Sequence, residues 1–269
     1  METYLTKASP KQPTPKRALI LFTSHPTKEA FRKQIGQNID QYQDIYQAFL
    51  HHTFQTITTA QETVNFDVII ASDAADEANI ARAYNAFPDA APYQFIAHSA
   101  NSFGEKFNDA FDYADAAGYQ QIAIIGNDCL DLTPELLCAS FDNLANSDAV
   151  LGPAGDGGFY LLALNDYSPA LFENICWCSG SVFQQLCQNI KQRQKTLALL
   201  PMLSDIDSRS DLNHWLCNQK KKPDAALAYQ VLVNLLGVLL IPYFYCQPFL
   251  IKTHFKKQRW QKPPPAFLL

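Results

Sequence analysis

An α/β fold with a mostly parallel, doubly wound sheet is the class that this sequence predicts. Three observations lead to it. Short apolar runs recur along the chain at lengths suited to strands buried on both faces. Stretches with helical spacing separate them, which implies crossover connections. Two of the runs, 122–125 and 149–151, break into polar turns carrying Asp128 and Asp156. Open α/β sheets bind their ligands beyond such strand ends.

In chain order, residues 18–22 (ALILF) form the first buried strand, and the polar loop 23–28 follows. From about 29 to 56 the apolar residues Phe31, Ile35, Ile39, Tyr42, Ile45, Tyr46, Phe49 and Leu50 step by three and four. That spacing suits one amphipathic helix or a pair of helices. Residues 66–71 and 93–97 are the second and third strands. Residues 103–117 form a helix stopped by Gly118. After the fourth strand, 122–125, Thr133 serves as N-cap and Pro134 as first helical residue of the next helix. Residues 149–151 and 159–164 are strands around a glycine-rich turn, 181–194 a helix, and 197–200 a last short strand. The Asp205-Ile-Asp207 stretch leads into a helix capped by Ser208 or Ser210.

Three regions are expected. Residues 1–16, rich in Pro and Lys, form a disordered leader; 17–220 are the α/β domain; 221–269 are an apolar extension with a basic tail. Within the extension, 225–246 is long enough to span a bilayer, and equally suited to pack as a helix on the domain, ending at Pro242. A formal charge of −5 and a pI near 5.6 exclude a general nucleic-acid binder. Seven cysteines without zinc-site spacing read as reduced thiols, which places the protein in the cytoplasm, with the tail as its one candidate membrane contact. The loop after the first strand lacks the glycines of a P-loop or Rossmann fingerprint, and Ser179-Gly180-Ser181 lacks the context of a hydrolase elbow.

Four constellations carry chemistry. Asp128, just beyond a buried strand, suits a divalent cation, Mg²⁺ or Mn²⁺; Asp131 is the better placed of the two to cap the following helix. Asp205 and Asp207 lie on one side of an extended segment and repel unless a cation or a proton comes between them; the alternative for Asp207 is a capping role. Gly155-Asp156-Gly157-Gly158 either receives a ligand against its backbone, with Asp156 as a base, or is simply a tight hairpin turn. Lys28, Arg32 and Lys33 suit a nucleotide phosphate, or are a solvated helix face.

Taken together, GNDCLDLTPELL, LGPAGDGGFYLLAL and DIDSRSDL, with Phe103-Gly-Glu-Lys106 and Ile175-Cys-Trp177, resemble a bacterial family of GT-A-like transferases over roughly 17–216. Its members are known as arsenosugar-biosynthesis-type or radical-SAM-associated glycosyltransferases, and it is similar to nucleotidyltransferases such as 2-phospholactate guanylyltransferase. The resemblance implies a three-layer αβα sandwich. It also implies metal ligands at Asp128, Asp205 and Asp207. With the local readings, the catalytic candidates are Asp128 and Asp156, and the candidate substrate contacts are Glu105, Gly155, Gly157 and Gly158. The chain departs from the family at the loop that usually reads P-x-P-G-x-x-K-T-R-L. There it has Glu29 for the glycine, Arg32 for the lysine, Lys33 for the threonine and Gln34 for the arginine.

The expected activity is metal-dependent transfer from an activated nucleotide donor to a small-molecule acceptor, with a nucleotide sugar as donor. Nucleotidyl transfer from an NTP, and a catalytically impaired member serving as a binding scaffold, stay open.

Overall fold

A computed structural model of the chain describes residues 15–33, 35–36, 38–85, 92–97, 100, 102–219 and 232. The leader up to residue 14, Gln34 and all of the C-terminal extension except Leu232 lie outside the described residues. No helix among the described residues is long and apolar enough to cross a membrane. Leu232 is wholly buried in the core.

Among the described residues seven strands make one sheet: β1 (Arg17–Phe22), β2 (Asp67–Ser72), β3 (Tyr93–Ala97), β4 (Gln121–Ile125), β5 (Ala149–Pro153), β6 (Phe159–Asn165) and β7 (Leu197–Leu199). Their order is β3-β2-β1-β4-β6-β5-β7. All neighbours run parallel except β6, which is antiparallel to both β4 and β5. The mostly parallel sheet expected from the sequence is therefore present. In β1 successive side chains alternate between two cores. Leu19 and Leu21 enter one, Ala18 and Ile20 the other, as a pleated strand covered on both faces requires.

One face is covered by α2 (Ile39–Gln61), α3 (Glu77–Tyr84), α5 (Pro134–Asn143) and α7 (Arg209–Gln219), which bury Phe49, Phe54, Ile80, Phe141, Leu212 and Trp215 there. The opposite face is covered by α4 (Phe103–Ala116) and α6 (Val182–Gln192), through Phe107, Phe111, Leu186 and Ile190. These are the three layers of an αβα sandwich.

The helical stretch after β1 is a pair: α1 (Pro26–Lys33), then α2, whose N-cap Asn38 accepts from Gln41 N at 2.9 Å. Thr133 caps α5 with Pro134 in its first turn, and Ser208 Oγ accepts from Asp211 N at 3.2 Å to cap α7. Asp131 is not the cap of α5. It accepts from Trp215 Nε1 and Gln219 Nε2, each at 3.1 Å, and ties α7 to the loop after β4.

Candidate functional site

Strand order runs outward from β1 to β2 and β3 on one side and to β4 on the other, so the direction of winding reverses between β1 and β4. The loops leaving such a pair must part, and a crevice opens between them. Here it has a volume of about 450 Å³. Its floor is Thr23 and Ser24 after β1 and Gly126, Asn127 and Asp128 after β4. The first turn residues are anchored from below. Thr23 N extends the β1–β2 pairing to Ala71 O at 3.0 Å, and Thr23 Oγ1 lies 2.9 Å from Tyr46 Oη. Tyr46 in turn donates to buried Asp76.

The acidic residues predicted from the sequence converge. Ile206 N donates to Asp128 O at 3.0 Å, and Ile206 is buried. That bond lays the Asp205-Ile206-Asp207 segment beside the loop after β4. With the central Ile206 turned into the core, its two neighbours face the crevice, where Asp128, Asp205 and Asp207 all line the wall.

Between them stands Lys33. Its side chain is only 3% exposed, and Nζ lies 2.6 Å from Asp128 Oδ2, 3.2 Å from Asp207 Oδ1 and 2.9 Å from Ile206 O. The ammonium donates to Asp128 Oδ2 and to the Ile206 carbonyl and is ion-paired with Asp207. Burial favours the neutral amine, but Asp128 and Asp207 outweigh it and hold the Lys33 pKa above its ordinary value. Burial likewise favours the acid form of Asp128, yet Lys33 and then Arg32 keep its pKa below the usual range. Asp205 is different. Burial, then the fields of Asp128, Asp156 and Asp207, push it up to about 8. Its Oδ1 is buried with no hydrogen-bond partner.

The phosphate-binding residues expected at α1 are dispersed. Lys28 reaches away to Asp73 at 2.7 Å and does not line the crevice. Lys33 is withdrawn into the acidic cluster and does not line it either. Arg32 alone of the three does, 58% exposed, 2.8 Å from Glu29 Oε2 and 3.5 Å from Asp207 Oδ1. The carboxylate at Glu29 is thus neutralised from within the same helix.

A divalent ion does not fit the cluster as it stands. Mg²⁺ takes oxygen ligands at about 2.1 Å, and the space shared by Asp128 and Asp207 holds an ammonium at hydrogen-bond distance from both. Among the described residues no group of three or more His, Cys, Asp and Glu side chains could hold a metal ion. A metal expected at Asp128, Asp205 and Asp207 would have to share this space with the Lys33 ammonium.

Opposite the acids, the Gly155–Gly158 segment is both of the things that its sequence allowed. It is the hairpin turn joining β5 to β6, and two of its residues, Asp156 and Gly158, line the crevice. Asp156 Oδ1 accepts from Gly158 N at 2.8 Å. Gly157 has φ +92°, and a Cβ there would come within 2.1 Å of Gly180 O, so only glycine fits. Gly155 instead donates its N–H to Leu203 O at 3.0 Å, and neither it nor Gly157 lines the crevice.

Glu105 is not at the crevice. Its carboxylate accepts from Ser102 N at 3.0 Å while Ser102 Oγ accepts from Glu105 N at 3.2 Å, a reciprocal cap on α4. The remaining wall was missed from the sequence and is aromatic. Phe22, Phe103, Phe107 and Trp177 pack with ring centroids 4.9 to 6.0 Å apart. A signal was present: the Phe103-Gly-Glu-Lys and Ile-Cys-Trp177 motifs meet here. A Cβ on Gly104 would lie 2.5 Å from Trp177 Nε1, so the glycine admits the indole.

Residues 56–179 match the model of a family described as "Uncharacterized protein conserved in bacteria (DUF2064)". The sequence matches no curated protein. Among solved structures, the chain is similar to a Desulfovibrio desulfuricans G20 protein assigned as a nucleotide-diphospho-sugar transferase, at 23% identity and a TM-score of 0.71, covering 84% of this chain and 97% of that one. It is also similar to 4-diphosphocytidyl-2C-methyl-D-erythritolsynthase of Anaerococcus prevotii DSM 20548, at 11% identity and a TM-score of 0.52, covering 77% and 97%. The GT-A-like fold read from the motifs is borne out.

Proposed function

We propose that this chain is a transferase using a nucleotide-activated donor, with a nucleotide sugar as first candidate and a small molecule as acceptor. The observation that carries this reading is the crevice at the β1–β4 divergence, into which Asp128, Asp156, Asp205, Asp207 and Arg32 all open. The shared fold with the Desulfovibrio protein is in keeping with it.

Each side chain has a task in that reaction. Arg32 is 58% exposed, and an ion pair with one solvated partner is weak, about 0–1 kcal/mol for exposed pairs, so Arg32 can exchange Glu29 for a donor phosphate. Lys33 neutralises Asp128 and Asp207, and Asp205 holds its proton at neutral pH, which lowers the negative charge that a diphosphate would meet. Asp156 accepts the proton of an acceptor hydroxyl as that oxygen bonds to the transferred carbon. The bond to the diphosphate oxygen breaks, and the nucleoside diphosphate leaves with the electron pair. The aromatic wall of Phe103 and Trp177 packs against the apolar face of the acceptor.

A second reading, a binding member without turnover, is favoured by one observation: both basic side chains nearest the crevice are already paired with carboxylates. Calorimetry with a panel of nucleotides and nucleotide sugars, followed by product analysis, separates the two. Released nucleoside diphosphate, lost in Asp156→Asn with binding retained, supports glycosyl transfer; pyrophosphate points to nucleotidyl transfer. Binding without product points to the second reading. A chain that binds no nucleotide of the panel refutes both.

A further inference from the structure

A deeply buried charge, Lys33, is not where its sequence neighbours would put it. Lys33 ends α1, in line with Lys28 and Arg32, whose side chains are 65% and 58% exposed. Its own is 3% exposed and crosses to carboxylates 95 and 174 positions later in the chain. Burying an ammonium is costly unless it is paired and hydrogen-bonded. This one is hydrogen-bonded to Asp128 and the Ile206 carbonyl and ion-paired with Asp207.

We infer that Lys33 is the resident cation of this cluster, its ammonium taking the place of a divalent ion between Asp128 and Asp207, so that the protein binds neither Mg²⁺ nor Mn²⁺ there. The inference concerns the crevice of the proposed transferase but stands whether or not transfer occurs.

Three features converge on it. The ammonium bonds the two carboxylates that any shared ion would need. A metal coordinated by Asp128 Oδ2 at about 2.1 Å would lie no more than about 5 Å from Nζ, with like charges facing each other across little water. The other Asp128 oxygen, Oδ1, is turned toward Gly126, where a Cβ would come within 2.8 Å of it. The third acid, Asp205, keeps one oxygen buried and without a hydrogen-bond partner, close enough to the other two to feel their field. Removing the ammonium leaves Asp128 and Asp207 with no cation between them, and carboxylate oxygens are the donors that a hard divalent cation takes.

The test is Mn²⁺ binding to the full chain, followed by electron paramagnetic resonance. The wild type is expected to leave the free Mn²⁺ signal unchanged. Lys33→Ala and Lys33→Thr are expected to bind one equivalent, at least ~100-fold tighter than wild type, and Asp128→Asn in either background to abolish it. A second measurement needs no variant. In the wild type, acylation of Lys33 read by mass spectrometry should be equally slow with and without Mn²⁺. Two results overturn the inference: a wild type that binds Mn²⁺ through Asp128 and exposes Lys33 to acylation on doing so, or folded Lys33 variants that bind no better than wild type.

Discussion

Replacing Lys33 by methionine keeps the aliphatic stem and removes only the charged end. Two hydrogen bonds, of 2.6 and 2.9 Å, and an ion pair at 3.2 Å go with it, and Asp128 and Asp207 are left facing each other. Breaking a buried ion pair from one side costs about 3–5 kcal/mol. Asp128 and Asp207 are 26% and 40% exposed and regain some water, so a value at or below the bottom of that range, about 2–3 kcal/mol, is expected for Lys33→Met. For a domain of this size that is a fall in Tm of roughly 5–10 °C. Urea unfolding at pH 7.5 measures it, with Asp128→Asn and the double variant completing a cycle whose coupling is about 1–2 kcal/mol. The pH dependence follows from Asp128, whose folded pKa is depressed. Its contribution is present above the unfolded value near 3.9 and fades as pH falls through the folded value. The penalty of Lys33→Met is therefore full at pH 7.5 and smaller at pH 3.5. A loss under about 0.5 kcal/mol at pH 7.5, or an additive cycle, would refute the pairing.

Asp205→Asn is expected to stabilise the protein at alkaline pH. The folded pKa of Asp205 is raised to about 8, so its contribution is full below the unfolded value near 3.9 and lost as pH rises through 8. The advantage of the variant over wild type should grow from pH 5 to pH 8 and then level off in urea titrations; a flat difference counts against a raised pKa. Gly104→Ala places a methyl 2.5 Å from the Trp177 indole and is expected to cost about 1–3 kcal/mol and shift tryptophan fluorescence. Unchanged emission and stability would show that the two motifs do not pack as described.

Much of the fold was legible because its signals are local. Residues in β1 and β4 are apolar without alternation, which a strand covered on both faces requires. Thr133-Pro134 begins α5 with chemistry confined to four residues. Other elements left weaker marks. The α3 sequence EANIARAY buries only Ile80, Ala83 and Tyr84, too few to stand out as a periodic pattern. The antiparallel direction of β6 was not readable, since a strand buried on both faces looks the same whichever way it runs.

For the site, the positions of Asp128, Asp156, Asp205 and Asp207 could be read from strand ends and turns, because backbone geometry places whatever follows a buried strand at the rim of the sheet. What neutralises them could not. Lys33 and Arg32 are adjacent basic residues on one short helix, alike in sequence, yet one is sealed among carboxylates and the other opens to the crevice. Their fates depend on which way α1 turns each side chain and on a segment some 170 residues further along the chain. The amino-acid order by itself established the sheet, its helices and the acids at its edge. Only the packing of α1 against the Asp205–Asp207 segment decided that the cation among those acids is a lysine, because charge pairing depends on distance in space and not along the chain.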